Sequence, residues 1–364
     1  MKNLTLSGLL LLLALNASAQ AFSKGKGDLR VMTYNANEGT DFLEVQQAAL
    51  SPDPFQFLVA VGQTITQVRA TNPPERMKAL AKQILAASPA LVGLQELDQW
   101  STGPFSPITG CGSTTTEFDM LQELLDALAA QGGHYQVAKQ AQQYAFGPIP
   151  GVTQSGFLCV QVINHIAILA RTDLDPSTFQ WSNPHSAQYV SMLVFPTPVG
   201  PLPLPRAWAS VDASFHGQSF RFITSHLESV DTTPFGFSIR ELQGAELRSG
   251  PANTTLPVVI AMDSNSQAAP LPKDATYIDF SLAGYGDVWS ELQPGVLGFT
   301  CCQAELDNNL VSQLYQRIDL ILTLGPIEAQ NIALFGATPA SKTAGGLWPS
   351  DHAGVAAQLV LETQ

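Results

Sequence analysis

Short apolar runs that stop at an acid, an amide or an imidazole recur along this chain and predict its architecture. Residues 258–262 are an unbroken apolar run of strand length, which predicts a strand buried on both faces. It stops at Asp263 and Asn265, residues that favour turns over strand interiors. These two are separated by one residue, so in extended chain both side chains leave on the same side. Similar strands are predicted at 28–34, ending in Asn35 and Asn37; at 90–95, ending in Glu96; and at 219–225, ending in His226. Further strands are predicted at 165–171 and 206–213; the strand at 316–323 holds Asp319, and Asp351 and His352 precede the one at 353–361. Helices are predicted within 41–70, broken near 51–54, and at 74–88, where Met77, Leu80, Ala81, Ile84 and Leu85 recur at helical spacing behind a first-turn proline. Another helix is expected to open at Thr116 and Asp119, with Phe118, Leu121, Leu125 and Leu128 on one face and Gly132 and Gly133 at its end, and one more at 235–249. Residues 101–116, rich in Gly, Ser, Thr and Pro, read as a loop, and 134–163 as one or two strands around a Gly-Pro loop.

Composition narrows the class. The chain has 364 residues, 45% hydrophobic and 13% charged, enough for a sizeable core. Its net charge of -13 argues against strong nonspecific nucleic-acid binding, which needs many Lys and Arg contacts to phosphate, but leaves room for a nuclease whose metal neutralises phosphate locally. Lys2, the leucine run 9–13 and Ala17-Ser18-Ala19 read as an export signal over 1–19, too short in its apolar part to span a bilayer. A secreted or periplasmic protein beginning near Gln20 is expected, with 20–364 as a single catalytic domain. In that oxidising setting Cys111 and Cys159 form the expected pair. Cys301 and Cys302 are adjacent, with Cα atoms about 3.8 Å apart across a trans peptide, and are either a strained bridge or two thiols. The Pro-rich apolar stretch 195–205 reads as a rigid loop packed on its own domain; the alternative is a lip in contact with an apolar substrate or a membrane surface.

Acid, amide and imidazole at so many strand ends suit attack of water on a phosphate ester, which needs a divalent cation, a group that positions water and donors for the developing charge. Oxygen ligands favour Mg²⁺ or Mn²⁺, and the absence of H-E-x-x-H and C-x-x-C argues against a dedicated zinc site.

The motifs Val31-Met32-Thr33-Tyr34-Asn35, Val92-Gly93-Leu94-Gln95-Glu96, Thr224-Ser225-His226-Leu227, Met262-Asp263-Ser264-Asn265, Arg317-Ile318-Asp319-Leu320-Ile321 and Ser350-Asp351-His352 together resemble those of the endonuclease/exonuclease/phosphatase superfamily, in the family's order. The resemblance implies an α/β (α+β) four-layer sandwich of two face-to-face mixed β-sheets flanked by helices. It also implies a metal site of Glu96, Asn37 and Asp351, with Asn35 near the phosphate. Asp263 and Asn265 would orient water and phosphate oxygens. Asp319 would fix the tautomer of His352, the base or phosphate donor, and His226 would help protonate the leaving oxygen. The substrate class implied is a phosphate ester, with a sphingomyelinase-like phospholipid diesterase or an endonuclease as narrower alternatives. The contrasting reading is a secreted binding protein that has lost catalysis.

Overall fold

The computed structural model describes residues 28–197, 200–233 and 236–362, so the expected export signal lies outside the described residues. In the first sheet β17 (Gly354–Leu361) lies between β16 (Ile327–Phe335) and β1 (Leu29–Asn35). β1 runs parallel to β2 (Leu91–Gln95), which is antiparallel to the long β7 (Gly156–Arg171). β3 (Gln99–Ser106) continues beyond β2 along the same edge of β7, and β6 (Tyr135–Thr153) covers the other edge. The second sheet has the order β14 (Gly286–Asp287), β15 (Asp319–Leu324), β13 (Val258–Asp263), β12 (Gln218–Ser225), β11 (Ala207–Phe215) and β8 (Phe179–Gln188).

Side-chain alternation makes four layers of these two sheets. Val31, Leu91 and Ile168 of the first sheet and Phe222, Val259 and Ile321 of the second meet in one buried cluster between them. One residue further along, Met32, Val92 and Leu169 face outward under α3 (Pro73–Ala87) and α4 (Met120–Ala130). On the opposite side Ile223, Ile260 and Leu322 face α5 (Ile239–Ser249) and α6 (Ala275–Leu282). Strands covered on both faces are apolar at most positions, which is why β2, β13 and β15 read as near-continuous runs. The sheets approach closely at Gly93, where a Cβ would stand 2.5 Å from Thr224 Oγ1 and 2.7 Å from the Ala261 carbonyl oxygen.

Three expectations are corrected. Residues 101–116 are not a loop: most of them lie in β3, β4 (Gly110–Cys111) and β5 (Thr115–Asp119), paired to one another and, through β3, to β7. The long edge of β7 supplies pairing that overrides their turn-forming composition. The following helix starts at Met120, capped by Asp119, whose carboxylate accepts from the Gln122 N–H at 3.1 Å; Phe118 lies in β5, and the buried face is Met120, Leu121, Leu124, Ala127 and Leu128. Residues 195–205 fall largely within a hairpin of β9 (Leu193–Thr197) and β10 (Gly200–Leu204). The 41–70 region holds α1 (Leu43–Ala49) and α2 (Pro54–Ala70), broken where expected. Cys111 is bonded to Cys159, and Cys301 to Cys302.

Candidate active site

Towards one end of the sandwich the apolar layer between the sheets gives way to polar side chains. Gln95 Nε2 donates to Thr224 Oγ1 at 2.8 Å across the sheets and to Thr33 Oγ1 at 3.2 Å within its own. Just beyond this bridge the strands end, and the catalytic candidates project from both sheets. Asn35 and Glu96 come from β1 and the residue after β2, His226 and Asp263 from the ends of β12 and β13, Asp319 from the start of β15, and His352 from the approach to β17.

Asn35 is fully buried and joins two carboxylates. Its Nδ2 donates to Glu96 Oε1 at 2.8 Å and to Asp263 Oδ2 at 2.9 Å. The other oxygen of Glu96 accepts from the Glu38 N–H at 3.0 Å. Glu96 and Asn265 both have positive φ, 56° and 48°, a region that non-glycine residues seldom occupy and that is enriched at functional sites. Asn265 donates its N–H to Asp263 Oδ1 at 2.9 Å and its Nδ2 to the Leu227 carbonyl at 2.9 Å, so it braces the loop and fixes the Asp263 carboxylate. His226 Nε2 stands 3.5 Å from Asp263 Oδ2 and 3.7 Å from Glu96 Oε1. His352 Nδ1 meets Asp319 Oδ2 at 2.8 Å, while its Nε2 lies 3.9 Å from Asp351 Oδ2. Ser350 locks this segment onto β1, its hydroxyl donating to the Asn35 carbonyl at 2.7 Å and accepting from the His352 N–H at 3.0 Å.

The electrostatics separate the two imidazoles. Burial alone would lower the pKa of His352, but Asp319, Asp351 and Asp263 surround it and hold it well above its ordinary value. Burial pushes His226 well below its ordinary value, and Arg206 and His352 add to that effect. At neutral pH one ring is therefore charged and the other neutral, a division that suits different proton-transfer roles. Burial, reinforced by the charge of Asp319, raises Asp263 to about 6.

Several contributors carry no sequence motif. Arg206 Nη1 lies 3.0 and 3.4 Å from the two ring nitrogens of His226, and its Nη2 lies 3.5 Å from Glu228 Oε1. Its Nε is buried without a partner among the described residues. Asn164 Nδ2 joins Glu38 Oε2 at 2.9 Å to Asp98 Oδ1 at 2.6 Å, and the Tyr144 hydroxyl donates to Glu38. Burial raises both acids well above the ordinary range, and the charge of Glu96 adds to it. Asn37, expected as a metal ligand, is instead engaged in the scaffold: its Oδ1 accepts from the Gly39 N–H at 2.6 Å and its Nδ2 donates to Asp307 at 2.9 Å. The buried Arg76 binds the Ala36 and Asn37 carbonyls and holds the same loop from behind.

The donor set fits a hard divalent cation. Ligand atoms of Glu96, His226 and Asp263 all lie within 4.8 Å of one another, but an imidazole nitrogen suits Mg²⁺ or Mn²⁺ less well than a carboxylate, which leaves Glu96 and Asp351 as the oxygen pair for the cation. Asp351 is near enough to Glu96 that their charges oppose each other, a repulsion a cation would relieve.

No protein-family model matches this sequence, and no curated protein does. Solved structures do match. An endonuclease/exonuclease/phosphatase family protein from Bacteroides thetaiotaomicron aligns with TM-score 0.55 and 16% identity, over 92% of this chain and 98% of its own. A family member from Leptotrichia buccalis aligns with TM-score 0.53 and 13% identity, over 92% of this chain and all of its own. The mannosyl-6-phosphatase of Bacteroides thetaiotaomicron aligns with TM-score 0.51 and 17% identity, over 91% of this chain and 99% of its own. The fold of this chain is that of the endonuclease/exonuclease/phosphatase proteins, a four-layer sandwich of two mixed sheets flanked by helices.

Proposed function

We propose that this chain is a secreted, divalent-metal-dependent phosphoesterase in which water attacks phosphorus. The observation that carries this reading is the convergence on one buried amide. Asn35 ties Glu96 to Asp263, and the same Asp263 oxygen has His226 Nε2 at 3.5 Å and His352 Nδ1 at 3.9 Å. Support comes also from proteins of the same fold, one of which is a mannosyl-6-phosphatase.

Glu96, with Asp351 beside it, would hold Mg²⁺ or Mn²⁺, which when bound supplies Lewis-acid stabilisation of the developing phosphoryl charge. The protein groups do the rest. Asp263, at about 6, is a carboxylate able to take a proton from water near neutral pH, and the Asn265 N–H and Asn35 Nδ2 fix both its oxygens. His352, charged and anchored through Nδ1 by Asp319, is a donor toward a phosphoryl oxygen. Neutral His226, 3.5 Å from Asp263, is placed to relay a proton toward the leaving oxygen. Arg206 offers its unpartnered Nε and a permanent charge to the phosphate.

The test is hydrolysis of p-nitrophenyl phosphate and bis-p-nitrophenyl phosphate with Mg²⁺, with Mn²⁺ and with EDTA. Activity is expected to vanish in EDTA and return with metal. Glu96→Gln is expected to lower kcat at least about 100-fold or raise the metal requirement with Tm unchanged; full activity of that variant at low metal would overturn the metal role. Export belongs to the same proposal, and the amino terminus of protein recovered outside the cytoplasm is expected near Gln20.

A further inference from the structure

Arg206, Glu228 and Glu38 belong both to the catalytic cluster and to the wall of an adjoining cavity of about 140 Å³. Beyond that polar rim the walls are mostly apolar: Phe57 and Val61 from α2, Phe146 from β6, Val162 from β7, and Phe195 and Leu202 from the β9–β10 hairpin. Strand alternation dedicates one face of the hairpin to this cavity. The cross-strand pairs Leu193 with Leu204 and Phe195 with Leu202 line it, while Pro196, Pro201 and Pro203 are turned to solvent. An apolar cavity forgoes dispersion contacts along its whole lining, so a fold that keeps one beside a buried arginine and acid rim is suited to an amphiphilic ligand.

We propose that this cavity is the subsite for an apolar group ester-linked to the phosphate, so that the substrates are alkyl or aryl phosphate esters. The inference rests on the phosphoesterase reading above. An engineered cavity of ~150 Å³ stays dry and takes benzene, which sets the capacity here at about six carbons. Arg206 stands where the two regions join, touching His226 on one side and lining the cavity on the other. The reaction is plain hydrolysis: water oxygen bonds to phosphorus, one ester P–O bond breaks, and the leaving alcohol's oxygen takes a proton.

The experiment uses methyl, butyl and hexyl phosphate, as monoesters and as methyl diesters, followed by phosphorus NMR. Each buried methylene is expected to raise kcat/KM about three- to fourfold until the cavity is full. Alkylphosphonates of the same lengths, which cannot be hydrolysed at the P–C bond, are titrated calorimetrically in parallel. Hexylphosphonate is expected to bind two to three orders of magnitude more tightly than methylphosphonate. Val162→Phe fills the cavity from β7 and Leu202→Trp from the hairpin; each is expected to flatten the dependence on chain length, and Leu202→Trp decides the matter if Val162→Phe does not fold. A flat chain-length series in the parent protein, or an unchanged slope in Leu202→Trp, overturns the subsite. If no ester is cleaved, the phosphoesterase reading fails by itself while the phosphonate titrations still decide the cavity.

Discussion

Asp319→Asn and His352→Ala, singly and together, test the best-defined contact of the site. The carboxylate and the ring meet at 2.8 Å, with side-chain exposures of 0% and 6%, so solvent screens the pair little. A buried hydrogen bond to a charged group contributes about 1.5–3 kcal/mol, which corresponds to roughly 10- to 150-fold in kcat if it is fully used in the transition state. Asparagine preserves volume and removes the charge. The ring then loses its strongest acidic neighbour and keeps only Asp351 and Asp263 to offset burial, so the pKa of His352 falls. Asp263 is not a substitute partner: its Oδ2 is 3.9 Å from Nδ1 and already bonded to Asn35. If the charged ring is required, activity in the parent protein is lost as pH rises through the raised pKa of His352, and in Asp319→Asn it is lost at lower pH. The assay is kcat against pH for all four proteins, with nitrogen-resolved NMR titration of the His352 ring. Asp319→Asn is expected to cost 10- to 150-fold in the parent background but less than about threefold in His352→Ala, because residues that act as a unit are not additive. Fully additive losses, or a His352 titration unmoved by Asp319→Asn, would refute the pairing.

Other expectations concern the scaffold. Gly93→Ala forces a methyl group against Thr224 and Ala261; it should destabilise the protein by about 1–3 kcal/mol in urea and lower kcat by disturbing the Gln95–Thr224 bridge, and unchanged values for both would refute the close-approach argument. Glu123 on α4 is raised to about 7, chiefly by burial, against an ordinary 4.5. The folded state holds the extra proton between those values, so this contribution is full below pH 4.5, falls as pH rises to 7 and is level above; Glu123→Gln should add about 1 kcal/mol at pH 8 and nothing at pH 4.5, read from urea unfolding at both. Cys111 and Cys159 are separated by 48 positions, and replacing both by alanine should cost about 3–4 kcal/mol, seen as a lower urea midpoint; an unmoved midpoint would show that the bridge adds no stability.

The strand ends were legible because strands covered on both faces read as apolar runs, so each polar interruption stood out. That is why Asn35, Glu96, His226, Asp263, Asp319 and His352 stand out in the sequence as one set. Arg206 stayed hidden because it follows a Pro-rich stretch and gains its meaning only from β11 lying beside β12, which brings it to His226. The Thr33–Gln95–Thr224 layer was hidden for a similar reason: three ordinary polar residues become a bridge only when two sheets face each other. Asn37 was expected at the metal from the family resemblance, yet Asp307, 270 positions further on, claims its amide. β16 and β8, near the sheet edges and half exposed, carried too weak an alternation to be found.

The placement of β17 makes the first sheet depend on the last part of the chain. Its strand is interior, held by β16 on one side and β1 on the other, with Val31 opposite Ala357. β1 therefore lacks a partner on one edge until residues more than three hundred positions downstream have arrived, a long-range pairing of the kind that folds slowly. His352, on the approach to that strand, arrives with it. If the phosphoesterase reading holds, a chain truncated at Ser350 keeps Glu96, His226, Asp263 and Asp319 but lacks both His352 and the strand that covers β1, and is expected to be inactive.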